Sequence, residues 1–188
     1  MNYGGGQPEN MSLKPQDVLI VLKLHCLGER DWSFVELGKS LGISVGEGHN
    51  AVNRAKASGL IYEREKSLRV QPKKLFDFLV HGVPAAFFPV RGQVTRGMPT
   101  SVFAAPLNDK ITVTEADIPL VWPTADGAVR GESLMPLYPT VPMAAAADKG
   151  LYELLVLVDG LRVGKAREKK LSIEMLEKRI VPTTAVVT

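Results

Sequence analysis

The chain has 188 residues, of which 45% are hydrophobic and 23% charged, with a formal net charge of +3 and one cysteine; that is enough apolar material for one large or two small globular domains, and it excludes a highly charged disordered chain. No run of about 18 apolar residues occurs, which argues against a membrane-spanning helix. The single Cys26 excludes an internal disulfide and a cysteine-based metal cluster, and the start, MNYGGGQPEN, has neither the basic cluster nor the apolar stretch of a secretory signal, so the expected location is the cytoplasm.

Residues 1–12, with Gly4 to Gly6 and Pro8, read as a flexible tail, and Met11 could be the true start. Ser12 can then cap a first helix with Pro15 in its first turn; Val18, Leu19, Leu22 and Cys26 share one stripe, and Gly28 ends it. Asp31 or Ser33 can cap a second short helix carrying Val35, Leu37 and Leu41, stopped by Gly42. Ser44 followed by Glu47 fits a capping box, which starts a third helix near Val45. Gly48, Val52 and Ala55 form its inward row, small enough for close helix packing. His49, Asn50, Asn53, Arg54 and Lys56 are left outside that row. Gly59 stops the helix, and Leu60 to Val70 reads as two short strands around a charged tip at Glu63 to Ser67.

Charge is concentrated here. From Arg54 to Lys74 the sequence carries seven basic residues, Arg54, Lys56, Arg64, Lys66, Arg69, Lys73 and Lys74, against Glu63 and Glu65. Such clustering suits phosphate attraction, although a solvated basic face is common in proteins that bind nothing.

The order helix, helix, turn, helix, two-stranded hairpin predicts a winged helix-turn-helix. WSFVELGKSLGIS followed by VGEGHNAVNRAKASGLI resembles the MarR-type bacterial regulators over roughly residues 13 to 72. Gly46 and Gly48 depart from the usual pattern and weaken the third helix by up to about 1 kcal/mol each relative to Ala. On this reading Asn50 and Asn53 pair with adenine edges, Arg54 with guanine or phosphate, and His49 donates to either. Ser44 and the free helix amides hold a phosphate, while Arg64, Lys66 and Arg69 follow the backbone or the adjacent minor groove. Glu47 is ambiguous between capping and cytosine recognition.

Leu75, Phe76, Leu79 and Val80 at helical spacing, with Gly82 as a stop, close a domain spanning residues 13–82. Residues 83–188 are Pro-rich and form a regulatory or dimerisation domain. Prolines from Pro84 to Pro142 argue against long strands, leaving short extended pieces at Ala86 to Val90, Ser101 to Ala105 and Lys110 to Val113. Arg91, Arg96 and Arg130, each followed by glycine, are candidates for an anionic site, though such arginines more often satisfy loop carbonyls. Asp148 can cap a helix with the stripe Leu151, Leu154, Leu155, Val158 and Leu161, continued by Leu171, Met175 and Leu176 as a helix pair or one kinked helix. The cluster Arg162, Lys165, Arg167, Lys169 and Lys170 is interleaved with Glu168, Glu174 and Glu177, which favours an ordinary mixed surface.

Together with VHGVPAAFFPVRGQVTRGMPT, VWPTADGAVRGESLMPLYP and DGLRVGKAREKKL, the chain resembles a group of bacterial regulators that carry this carboxy-terminal region behind the DNA-binding part. The resemblance implies sequence-specific binding of double-stranded DNA and transcriptional control by a homodimer, with a partner protein or small-molecule effector at the second domain. A looser similarity is to winged-helix antitoxins that repress their own operon. A third reading takes Ser133, in Gly131 to Pro136, as the nucleophile of a self-cleaving repressor, with Lys165 or Lys170 as its base; both lysines sit in a strongly charged stretch unsuited to a lowered pKa. His25, His49 and His81 are dispersed, so no metal, cofactor or catalytic centre is expected. The expected fold is mainly α with small β (α+β).

Overall fold

The computed structural model describes residues 12–65, 67–114 and 116–182 and shows an α+β protein. Helix α1 (Pro15–Leu27) starts behind Lys14 rather than Ser12: Pro15 takes the first helical position, and Asp17 turns back to accept the Lys14 amide at 2.9 Å. Val18 to Leu22 and Leu24 are all buried, so the single expected stripe becomes an almost fully enclosed helix. Helix α2 (Phe34–Leu41) is capped by Ser33, not Asp31, in a reciprocal box with Glu36. Gly42 ends it in the left-handed conformation at φ 64°. Leu37 and Leu41 are buried, whereas Val35 faces solvent.

Helix α3 (Val45–Ala57) follows after three residues, with the Ser44 hydroxyl accepting the Glu47 amide. Gly48, Val52 and Ala55 are buried as expected, and so is Ala51. Strands β1 (Ile61–Arg64) and β2 (Ser67–Val70) make an antiparallel hairpin that pairs Ile61 with Val70 and Arg64 with Ser67.

Helix α4 (Pro72–Asp77) does not stop at Gly82. It widens into a π-helical turn at Phe78–Gly82 and continues as α5 (Val83–Ala86). Pro84 has no amide hydrogen to continue an ordinary ladder, and the Val83 amide reaches one residue further, to the Phe78 carbonyl.

The proline-rich region contains the second β-structure. The expected strands at 86–90, 101–105 and 110–113 are absent; the strands are β3 (Arg91–Pro99), β4 (Leu120–Pro123) and β5 (Val129–Leu134). β3 runs nine residues, longer than the prolines suggested, because Pro99 and Pro123 sit at strand ends where the ladder stops. Each strand pairs with the other two: β3 antiparallel to both β4 and β5, and β4 parallel to β5, closing the sheet on itself. Closure over so few strands needs very close backbone approach. A Cβ on Gly97 would collide with the Trp122 carbonyl, one on Gly131 with that of Pro119, and one on Gly127 with the Gly97 backbone. The glycines after Arg96 and Arg130 thus serve sheet closure.

Helix α6 (Val141–Ala147) leads into α7 (Lys149–Val163), capped by Asp148 accepting the Leu151 amide, and then α8 (Ala166–Ile180). The 148–180 segment is therefore a pair of helices. α7 is buried from Leu154 through Arg162 and lies at the centre of the molecule. One apolar cluster joins α1, α3 and α4 to Trp122 and α6, α7 and α8, so the core runs without a break past residue 82. Among the described residues no helix is long and apolar enough to cross a membrane.

A buried polar hub fastens α7 to the sheet. Asp159 accepts hydrogen bonds from Thr100 Oγ1 at 2.8 Å, Trp122 Nε1 at 2.7 Å and Arg162 Nη1 at 2.6 Å. Burial pushes the Asp159 carboxyl above its ordinary range, against the opposing pull of Arg162. Arg162 also donates to the Phe87 and Phe88 carbonyls, which removes it from the surface cluster in which its sequence position had placed it.

Candidate nucleic-acid interface

The face of α3 opposite Gly48, Val52 and Ala55 is open. His49, Asn50, Asn53 and Lys56 are exposed there, with Ser44 and Gly46 exposed at the helix start. Short side chains at the packed row let α3 settle close to α1 and α2 while its long polar residues stay outside. The hairpin beside it exposes Tyr62 and Arg64, with Arg69 half-buried. Lys66 lies outside the described residues.

Arg54 is the main correction. It was expected among the outward groups, yet it is only 3% exposed. Its Nε and Nη2 donate to the two oxygens of Asp17 at 2.8 and 2.7 Å, and Nη2 also reaches Glu47 Oε1. The Asp17 hydrogen bond, opposed by burial, holds the guanidinium pKa above its ordinary value. Its Nε and Nη2 donors are thus committed to carboxylates, and its burial keeps the side chain off the outward face of α3. Its position on the helical wheel lies between the two faces, and the carboxylate buried on α1 draws it inward. No pattern within α3 signals this; Asp17 in the otherwise apolar run of α1 was the available clue.

Glu47 also departs from expectation. Ser44 performs its half of the capping box, but the Glu47 carboxylate turns to Arg54 and accepts from Gln16 Nε2 at 3.2 Å. Partial burial pushes its pKa up, yet the bonds from Arg54 and Gln16 outweigh that and hold it below the ordinary range. It is thus a fixed charge that anchors Arg54, committed to neither capping nor cytosine.

His49 has a partner that periodicity alone could not supply. Its ring stacks on Phe34 with centroids 3.6 Å apart, and Phe34 meets Trp32 edge-on at 5.1 Å. These aromatics fix the imidazole at the outer edge of α3. Lys56 pairs with Glu63 at 3.1 Å and Arg64 with Glu65 at 3.6 Å, while Arg69 donates to the Leu68 carbonyl. The pairs involving Lys56 and Arg64 are exposed and easily exchanged for phosphate. Asn50 and Asn53 have no side-chain hydrogen bond among the described residues.

Elsewhere, Arg96 and Arg130 are paired across β3 and β5 and both are exposed, while Arg91 binds Glu132 at 3.0 Å. Ser133 sits on β5, and Lys165 and Lys170 are both exposed. Neither lysine hydrogen-bonds to Ser133 among the described residues. His25 approaches the Arg179 carbonyl at 3.0 Å, and His81 is exposed on the π-helical turn.

Comparison with family models, curated proteins and solved structures finds no match.

Proposed function

We propose that residues 13–82 form a winged helix-turn-helix that binds double-stranded DNA in a sequence-dependent way, and that the chain is a bacterial transcriptional regulator. The observation that carries this reading is the exposed row His49, Asn50, Asn53 and Lys56 on α3, beside the basic hairpin. A helix about 10–12 Å across with its side chains matches a major groove about 12 Å wide. Asn50 and Asn53 then meet adenine edges, each through an amide able to donate and accept at once. Lys56, Arg64 and Arg69 meet phosphates, and the exposed first turn of α3 places amide hydrogens toward another. Arg54 supports the geometry from within: it ties α3 to α1, so the reading face is held by a buried ionic anchor. Two copies on half-sites one helical turn apart supply the affinity that one short helix lacks.

Selection of duplexes from a random pool by the purified full chain tests the reading. The enriched duplex should bind at least about 10³-fold tighter than a scrambled one, and both affinities should fall steeply between about 50 and 200 mM salt. Absence of enrichment, or equal affinity for the two duplexes, would reject it.

A further inference from the structure

A cleft of about 480 Å³ lies between the closed sheet and α6, within the size range of small-molecule sites. Met98 and Pro99 of β3 form one wall, and Pro142, Met143 and Ala146 of α6 form another. Asp126, exposed on the β4–β5 connection, is the sole charged residue lining it among the described residues. Two thioethers favour an aromatic ring, since sulfur packs well at ring edges and methionine adapts to the shape presented. The lone carboxylate at the open side favours a cation on that ring's tether.

The same cleft touches the turn ahead of α3. Met143 faces the cleft, and its methyl also packs on Gly42, where a Cβ would lie only 2.6 Å from Met143 Cε and 3.1 Å from Thr140 Cγ2. Thr140, the half-buried residue from which α6 starts, carries the one enclosed side-chain polar atom without a hydrogen-bond partner among the described residues, its Oγ1. A displacement of the first turn of α6 that pairs or hydrates this hydroxyl regains a hydrogen bond, which offsets part of the cost of moving it.

We propose that this cleft binds a small arylalkyl ammonium compound and that its occupancy moves Met143 off Gly42, shifting the start of α3. The consequence for DNA rests on the reading of α3 given above; ligand binding and the response at Gly42 do not.

The test is an NMR titration of the full chain, carrying ¹³C-methyl methionine and ¹⁵N, without DNA. The probe is 2-phenylethylammonium, compared with neutral 2-phenylethanol and anionic 3-phenylpropionate. The Met98 and Met143 methyl resonances and the Gly42 amide should move together and saturate with one constant, the ammonium compound binding most tightly. Asp126→Asn should weaken it about two- to fivefold, and Ala146→Trp, which fills the cleft, should abolish the shifts. Still methyl resonances, equal response to 3-phenylpropionate, or shifts produced by raising protein concentration alone, which would make a second copy the occupant, each overturn the ligand. Moving methyls beside a still Gly42 amide overturn the coupling. Because no duplex is present, these outcomes are separate from failure of DNA binding; a shift in affinity for the selected duplex on adding the probe then joins the two.

Discussion

Arg54 on α3 and Asp17 on α1 face each other in a buried bidentate ion pair, 2.7 and 2.8 Å between donor and acceptor atoms. Asp17 also accepts the Lys14 amide, and Arg54 also reaches Glu47, so both charges are fully engaged. Removing one partner leaves the other buried and uncompensated. Arg54→Ala should therefore lower the unfolding free energy by about 3–5 kcal/mol, whereas the double change Arg54→Met with Asp17→Leu should cost much less than the two single changes summed. Urea denaturation of the wild type, Arg54→Ala, the two singles Arg54→Met and Asp17→Leu, and their double measures this. A loss under about 1 kcal/mol for Arg54→Ala, with altered duplex preference, would return Arg54 to the reading face.

Asn53 and Arg69 separate base reading from phosphate attraction. Asn53→Ala should cost about 1–3 kcal/mol on the selected duplex and little on a scrambled one. Arg69→Ala should weaken both duplexes alike and reduce the salt slope by about 1. Fluorescence anisotropy across a salt series distinguishes them; equal losses on both duplexes for Asn53→Ala would contradict its base-reading role.

Two glycines should respond in opposite directions to the same substitution. Gly46 is exposed in the first turn of α3 with nothing within 4 Å of an added Cβ, so Gly46→Ala should stabilise the protein by about 0.5 kcal/mol through the unfolded chain. At Gly97 the added carbon meets the Trp122 carbonyl and the Val121 side chain. Gly97→Ala should destabilise by about 1–3 kcal/mol and perturb the emission of Trp122, which hydrogen-bonds to Asp159. Thermal melts followed by tryptophan fluorescence report both.

Acid should loosen the junction between the two halves. Asp148 caps α7 and accepts from Lys23 of α1 at 2.7 Å. Partial burial raises its pKa, but the Lys23 and backbone hydrogen bonds prevail and hold it below the ordinary aspartate range. A depressed carboxylate contributes stability above its unfolded pKa and loses it as pH falls through the folded one. Glu47 acts in the same direction. Asp159, held above its ordinary range, acts in the opposite sense, so the effect is read as a difference: the gap in urea midpoint between the protein and Asp148→Asn, which still caps, should be constant near neutrality and close below about pH 4. An unchanged pH profile in this variant would remove Asp148 from the account.

The amino-acid sequence by itself determined the early helices, the Ser44 cap of α3 and the Asp148 cap of α7, narrowed the cap of α2 to Asp31 or Ser33, and marked the Gly28 and Gly42 stops and the hairpin at 61–70, because each rests on local backbone preference and on groups a few residues apart. It also marked the buried row Gly48, Val52 and Ala55, since side-chain size alone decides how closely a helix packs. Contacts distant along the chain were decided only in three dimensions. Arg54 turns inward because Asp17, 37 residues away, supplies a buried charge. His49 rests on Phe34, and Arg162 is sequestered by Asp159 and two loop carbonyls. The closed sheet was equally hidden: its strands pair out of chain order, so the prolines that punctuate the sequence fall harmlessly at strand ends and the glycines mark backbone approach. Local geometry is written in neighbouring residues, whereas the partner of a charge or of a strand exists only once the chain has closed on itself.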